Sequence, residues 1–153
     1  MPLVQLFVLV ILTLAQVDSV PSFSDDVLNP KEREKLAIAS NAEARIKVYE
    51  SATKRIQQTL RTMAAGGDFA KIPDTVKEWN SLLAGSLADI EANLKTKKKS
   101  RALIKYEIRV RKILTDAQDY KNRLPLDQID AFSSYLDDAE KVRKRFVEII
   151  FKQ

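Results

Sequence analysis

Apolar residues recur along this chain in alternating steps of three and four. That is the spacing of one face of an α-helix. Ile46, Tyr49, Thr53, Ile56, Leu60 and Met63 form the first such stripe. Val76, Trp79, Leu83, Leu87, Ile90 and Leu94 form the second. The third is the most regular: Leu103, Tyr106, Val110, Ile113, Ala117, Tyr120 and Leu124. Ile129, Phe132, Leu136, Ala139, Val142, Phe146 and Ile150 make the fourth. Each stripe predicts an amphipathic helix of about 24 residues, roughly 36 Å long.

Local signals set the boundaries. Asn29 and Pro30 suit the N-cap and first helical position, and Glu32 is placed to complete a capping box. Residues 30–39 read as a short helix of their own. Ser40 with Glu43 is a second capping-box match, so a break falls near Ser40-Asn41, with one continuous helix as the competing reading. Gly66-Gly67 ends the next helix and Pro73-Asp74 opens another. No helix breaker lies in residues 95–100, so a turn there follows from charge and from the change of phase. Leu124-Pro125 breaks the chain again, and Asp127 is a candidate cap for the last helix.

These elements predict an all-α fold: an antiparallel, up-and-down helical bundle of three to four long helices. Either four helices close the bundle, or three form the core and the N-terminal helix serves as an arm. The expected divisions are a secretory signal peptide over 1–19, a linker over 20–29 and the bundle domain over 30–153. Residues 3–14 are apolar except for Gln5 and Thr13, a run too short to span a bilayer comfortably. Cleavage fits after Ala15 or after Ser19. The segment before the apolar run has no Lys or Arg, which departs from the usual signal pattern and keeps a buried helix or an uncleaved anchor open. The expected location is periplasmic or extracellular after signal-peptide cleavage.

Composition narrows the chemistry. Only 3 glycines and 5 prolines occur, which suits few, long helices. There is no cysteine and no histidine, so disulfides, thiolate nucleophiles and the usual zinc, copper and haem ligands are excluded. The commonest general base near neutral pH is excluded with them. Aspartate and glutamate fall mostly off the apolar stripes, so helical spacing places no pair for glycoside hydrolysis or a carboxylate metal site. Trp79 sits on a stripe, as a core anchor rather than a sugar platform. The expectation is no enzyme and no cofactor.

Charge is the strongest anomaly. The chain carries +5 overall, yet residues 95–112 carry +8, leaving −3 for the rest. The basic residues are Lys95, Lys97, Lys98, Lys99, Arg101, Lys105, Arg109, Arg111 and Lys112, against the single acid Glu107. Such a segment is either a solvated, solubilising helix face or an anion-binding patch for lipid, lipopolysaccharide or an acidic protein face. Nucleic acid is disfavoured, because Tyr106 and Tyr120 lie on the apolar stripe rather than among the cations. A second basic cluster at 141–145 follows acids at 137–140, with Asp137–Lys141 and Glu140–Lys144 as expected helix pairs. The apolar run from Phe146 to Phe151 is expected to close the core.

Leu28-Asn29-Pro30-Lys31-Glu32, Glu34-Lys35-Leu36 and Arg45-Ile46-Lys47-Val48-Tyr49 resemble small exported all-helical proteins of acidobacterial type. The resemblance covers most of the chain after the signal. It implies a periplasmic or extracellular compartment in a Gram-negative-like cell, and brings no activity or binding residues. The resulting expectation is a non-enzymatic interaction or structural protein of the cell envelope, binding an unknown protein partner or itself. The alternative is a binder of anionic surfaces through residues 95–112.

Overall fold

A computed structural model describes residue 23 and residues 27–95 and 98–152. Helix α1 spans Pro30–Ile38, α2 Ala42–Ala65, α3 Ile72–Asn93, α4 Arg101–Lys121 and α5 Ile129–Lys152. Single 3-10 turns at Phe69–Lys71 and Leu126–Gln128 lead into α3 and α5. The long helices bury the four stripes seen in the sequence, with Met63, Leu87, Leu94, Tyr120, Ile129 and Val142 half-buried at the margins. Trp79, Tyr49, Tyr106, Phe132 and Phe146 are the largest side chains fully enclosed.

Helices α2 to α5 close into an up-and-down four-helix bundle. Each long helix packs against two others: α2 against α3 and α4, α5 against α3 and α4. Polar contacts fix the directions. Arg45 in the first turns of α2 meets Asp89 near the end of α3, so these two run antiparallel. Glu107 of α4 meets Arg143 of α5, also antiparallel. Glu50 with Arg109, and Gln57 with Asp116, make α2 and α4 parallel neighbours. Asn80 with Tyr135, and Glu91 with Arg145, do the same for α3 and α5.

Consecutive helices α3 and α4 therefore stand diagonally across the bundle. Short links ordinarily join adjacent antiparallel helices. Here residues 94–100 join them, and seven residues reach up to ~24 Å when extended. The diagonal of a bundle with axes about 8–10 Å apart is only about 11–14 Å, well within that reach.

The caps explain where helices begin. Asn29 Oδ1 accepts from Glu32 N at 2.8 Å, and Glu32 Oε2 accepts from Asn29 N at 2.9 Å, completing the expected capping box. The break before α2 is present, but Asn41 is its cap rather than Ser40: Asn41 Oδ1 accepts from Ala44 N at 2.8 Å. Gly67 follows α2 at φ 77°, a backbone conformation that glycine adopts without steric cost. Ser100 Oγ accepts from Leu103 N at 3.1 Å and starts α4. Asp127 lies within the turn before α5, which begins at Ile129.

The N-terminal side differs from the expected linker. Val27 and Leu28 are only 2% and 4% exposed. Phe23 sets its ring edge-on to Tyr49, with centroids 5.6 Å apart. These apolar residues lack helical spacing, so periodicity could not mark them as core. Helix α1 folds back along α2, antiparallel to it. Glu32 caps α1 and also accepts from Arg55 Nε at 2.8 Å, while Arg55 donates to the Val27 carbonyl at 2.7 Å. The signal peptide expected over 1–19 lies outside the described residues.

On α5 the expected charge pairs are shifted. Lys141 bonds Asp138 at 3.2 Å, and Arg143 bonds Glu140 at 2.7 Å. Arg143 also pairs with Glu107 on α4 at 2.9 Å. The terminal apolar run is divided: Phe146 and Ile150 enter the core, whereas Phe151 is 74% exposed.

Candidate functional site

Antiparallel and parallel packing together bring one set of termini to a common end of the bundle. There α1 ends, α2 begins, α3 ends, α4 begins and α5 ends. The basic segment read from the sequence sits largely at this end, in the connection after α3 and the first turns of α4.

A groove of about 580 Å³ opens there between α2 and α4. Its lining is Glu43, Lys47, Glu50, Lys98, Lys99, Arg101, Ala102 and Lys105. Five cations thus face two carboxylates, and Glu50 already accepts from Arg109 Nε at 3.2 Å. Lys47, Lys99, Arg101 and Lys105 make no ion pair with a carboxylate among the described residues. Arg101 offers a planar fork of donors, and the lysines offer compact charges on flexible stems. This is a set of groups that can hold phosphate, sulfate or carboxylate oxygens.

The nine basic residues of the sequence do not act together. Lys98, Lys99, Arg101 and Lys105 converge on the groove, and Lys95 is exposed at the start of the same connection. Arg109 is half-buried and turned inward as a brace between α4 and α2, donating to Glu50 and, at 3.1 Å, to Gln57 Oε1. Arg111 lies on the other side of α4, 3.7 Å from Glu107. Lys112 is exposed further along α4, away from the groove. Lys97 lies outside the described residues. Lys47 joins from α2, a contribution the sequence could not reveal, because nothing in it marks α2 and α4 as parallel neighbours.

At the same end of the bundle, a buried polar cluster ties the start of α2 to the end of α3. Asp89 Oδ2 accepts from Arg45 Nε at 2.8 Å and from the Tyr49 hydroxyl at 2.6 Å. Asp89 Oδ1 accepts from Asn93 Nδ2 at 2.8 Å. Burial pushes the Asp89 carboxyl up, but its bonds from Arg45, Tyr49 and Asn93 outweigh that effect and hold it below the ordinary carboxylate value. Burial, then the hydrogen bond to anionic Asp89, push the Tyr49 phenol far above its ordinary value. The stable form is a carboxylate beside a neutral phenol. Deeper in the core, Ser86 Oγ donates to the Leu83 carbonyl at 2.9 Å, so the Tyr106 hydroxyl is the donor in the 2.8 Å bond to Ser86. Three donors thus converge on one buried carboxylate, the Asp89 side chain, and the cluster braces the fold at the basic end.

Among the described residues, no group of three or more Asp or Glu is arranged to hold a metal ion. Among them, too, no helix is long and apolar enough to cross a membrane. Trp79 is fully enclosed and presents no face to a ligand. Compared with protein-family models, curated proteins and solved structures, the chain matches none.

Proposed function

We propose that this protein is a non-enzymatic helical interaction protein of the cell envelope, and that its basic end is the recognition surface. The α2–α4 groove carries the proposal, because two helices and a connection contribute five cations against two carboxylates. A merely solubilising charge run needs no convergence of this kind. The partner recognised is one that presents several phosphate, sulfate or carboxylate groups, so that neighbouring cations act in concert. The export expected from residues 3–14 supports an envelope or extracellular setting.

The test is salt elution of the full chain from immobilised heparin, used as a sulfated polyanion. One variant carries Lys99→Gln, Arg101→Gln and Lys105→Gln. A second removes the same charge at the opposite end, with Lys71→Gln, Lys77→Gln and Lys121→Gln. The first variant is expected to elute at clearly lower salt than wild type, and the second close to wild type. Equal shifts for both variants would mean that only net charge matters, and the basic end would lose its role.

A further inference from the structure

Two large apolar side chains stand out in solvent at the basic end. Phe151, near the end of α5, is 74% exposed, and the Lys99 ammonium lies 5.2 Å from its ring centroid. Ile38, the last residue of α1, is 77% exposed, and α1 runs back along α2 to the same end. Exposed cations and apolar side chains on one end match the chemistry of a bilayer interface, where rings and aliphatic groups enter the headgroup layer and ammonium groups meet lipid phosphates. A soluble polyanion would use the cations and leave Phe151 and Ile38 in water.

The opposite end has a different balance. Asp68, Asp74, Asp119, Asp127 and Asp130 stand there with Lys71, Lys121 and Arg123. The molecule is therefore polarised along its axis, and a negatively charged plane would turn the basic end toward itself. Resting on the reading of that end as an anion-recognition surface, we infer that its ligand is the surface of an anionic lipid bilayer. The bundle meets it end-on, with Phe151 and Ile38 in the headgroup layer and Lys99, Arg101 and Lys105 at the phosphates.

The absence of cysteine permits a direct test, because a single introduced thiol carries a single label. Full-length Ile38→Cys, Phe151→Cys and Leu126→Cys variants receive an environment-sensitive fluorophore. Leu126 is 89% exposed at the opposite end and serves as the internal control. Each is mixed with vesicles of phosphatidylglycerol and phosphatidylcholine, or of phosphatidylcholine alone, at low and high salt. Labels at 38 and 151 are expected to shift to the blue only with anionic vesicles at low salt, while the label at 126 stays unchanged. Adding Lys99→Gln, Arg101→Gln and Lys105→Gln is expected to weaken partitioning on the order of 100-fold. An equal response at 126 would overturn end-on docking, as would binding through residues 3–14 that leaves positions 38 and 151 in water. Equal responses to neutral vesicles would overturn recognition of lipid charge. No vesicle response, with selective heparin binding intact, would overturn the bilayer inference and leave the proposed function standing. Loss of both would overturn both.

Discussion

Asp89 connects three helical side chains through one carboxylate. Its two oxygens accept from Arg45, Tyr49 and Asn93, so its removal takes away a carboxylate to which a buried guanidinium donates. Asp89→Asn keeps the shape and removes the charge, and it is expected to cost about 3–5 kcal/mol at neutral pH. Urea denaturation measures this. The pH dependence follows from the lowered carboxyl value in the folded state. A depressed folded value gives stability that is complete above the unfolded value, about 3.9, and is lost as pH falls through the folded one. The gap between wild type and Asp89→Asn should therefore stay constant from neutral pH down to about pH 4 and narrow below it. A gap that remains constant under acid would contradict the ionised Asp89 described here.

The same residue marks how far sequence could lead. Asp89 occupies a helical position one step from Ile90 on the buried face, yet its type alone gives no sign of burial. Only the antiparallel meeting of α2 and α3 brings Arg45 and Tyr49 to it. The apolar stripes, by contrast, were readable because helical period and burial follow the same physics.

Elements were legible where a repeat or a cap signalled them. The four long helices, the Asn29 capping box and the glycine stop after α2 all carry such signals. Segments held by non-periodic contacts did not, and Phe23 is the clearest instance. Its ring occupies space that only a glycine leaves open: a Cβ on Gly85 would fall 2.3 Å from Phe23 Cε1. Gly85→Ala should push the ring off α3 and destabilise the protein by about 1–3 kcal/mol. In a Phe23→Ala background the same change should cost little, since the clash is gone and alanine favours helix over glycine. A double-mutant cycle by thermal and chemical denaturation measures this coupling. Additive effects would place Phe23 away from Gly85.

At the scale of the whole molecule, the diagonal placement of α3 and α4 makes the site. It sets α4 beside α2 in parallel, which adds Lys47 to the basic connection and turns a run of charge into a groove. The nine basic residues were visible in the sequence, but their separation into groove, brace and outer face was not. Helical phase gives each residue a face, while the identity of the neighbouring helix comes only from how the bundle closes. Arg109 and Arg111, two positions apart, therefore differ in role: Arg109 reaches across to Glu50 of α2, whereas Arg111 pairs with Glu107 on its own helix.

A lysine acetylation footprint of the full chain, read by mass spectrometry with and without heparin oligosaccharide, locates the anion-recognition surface. It maps the contact surface without altering the protein. Protection is expected to concentrate at Lys47, Lys95, Lys98, Lys99 and Lys105, with Lys71, Lys77 and Lys121 modified as in the free protein. Even protection over all lysines, or protection centred away from the basic end, would rule out the basic end as the recognition surface.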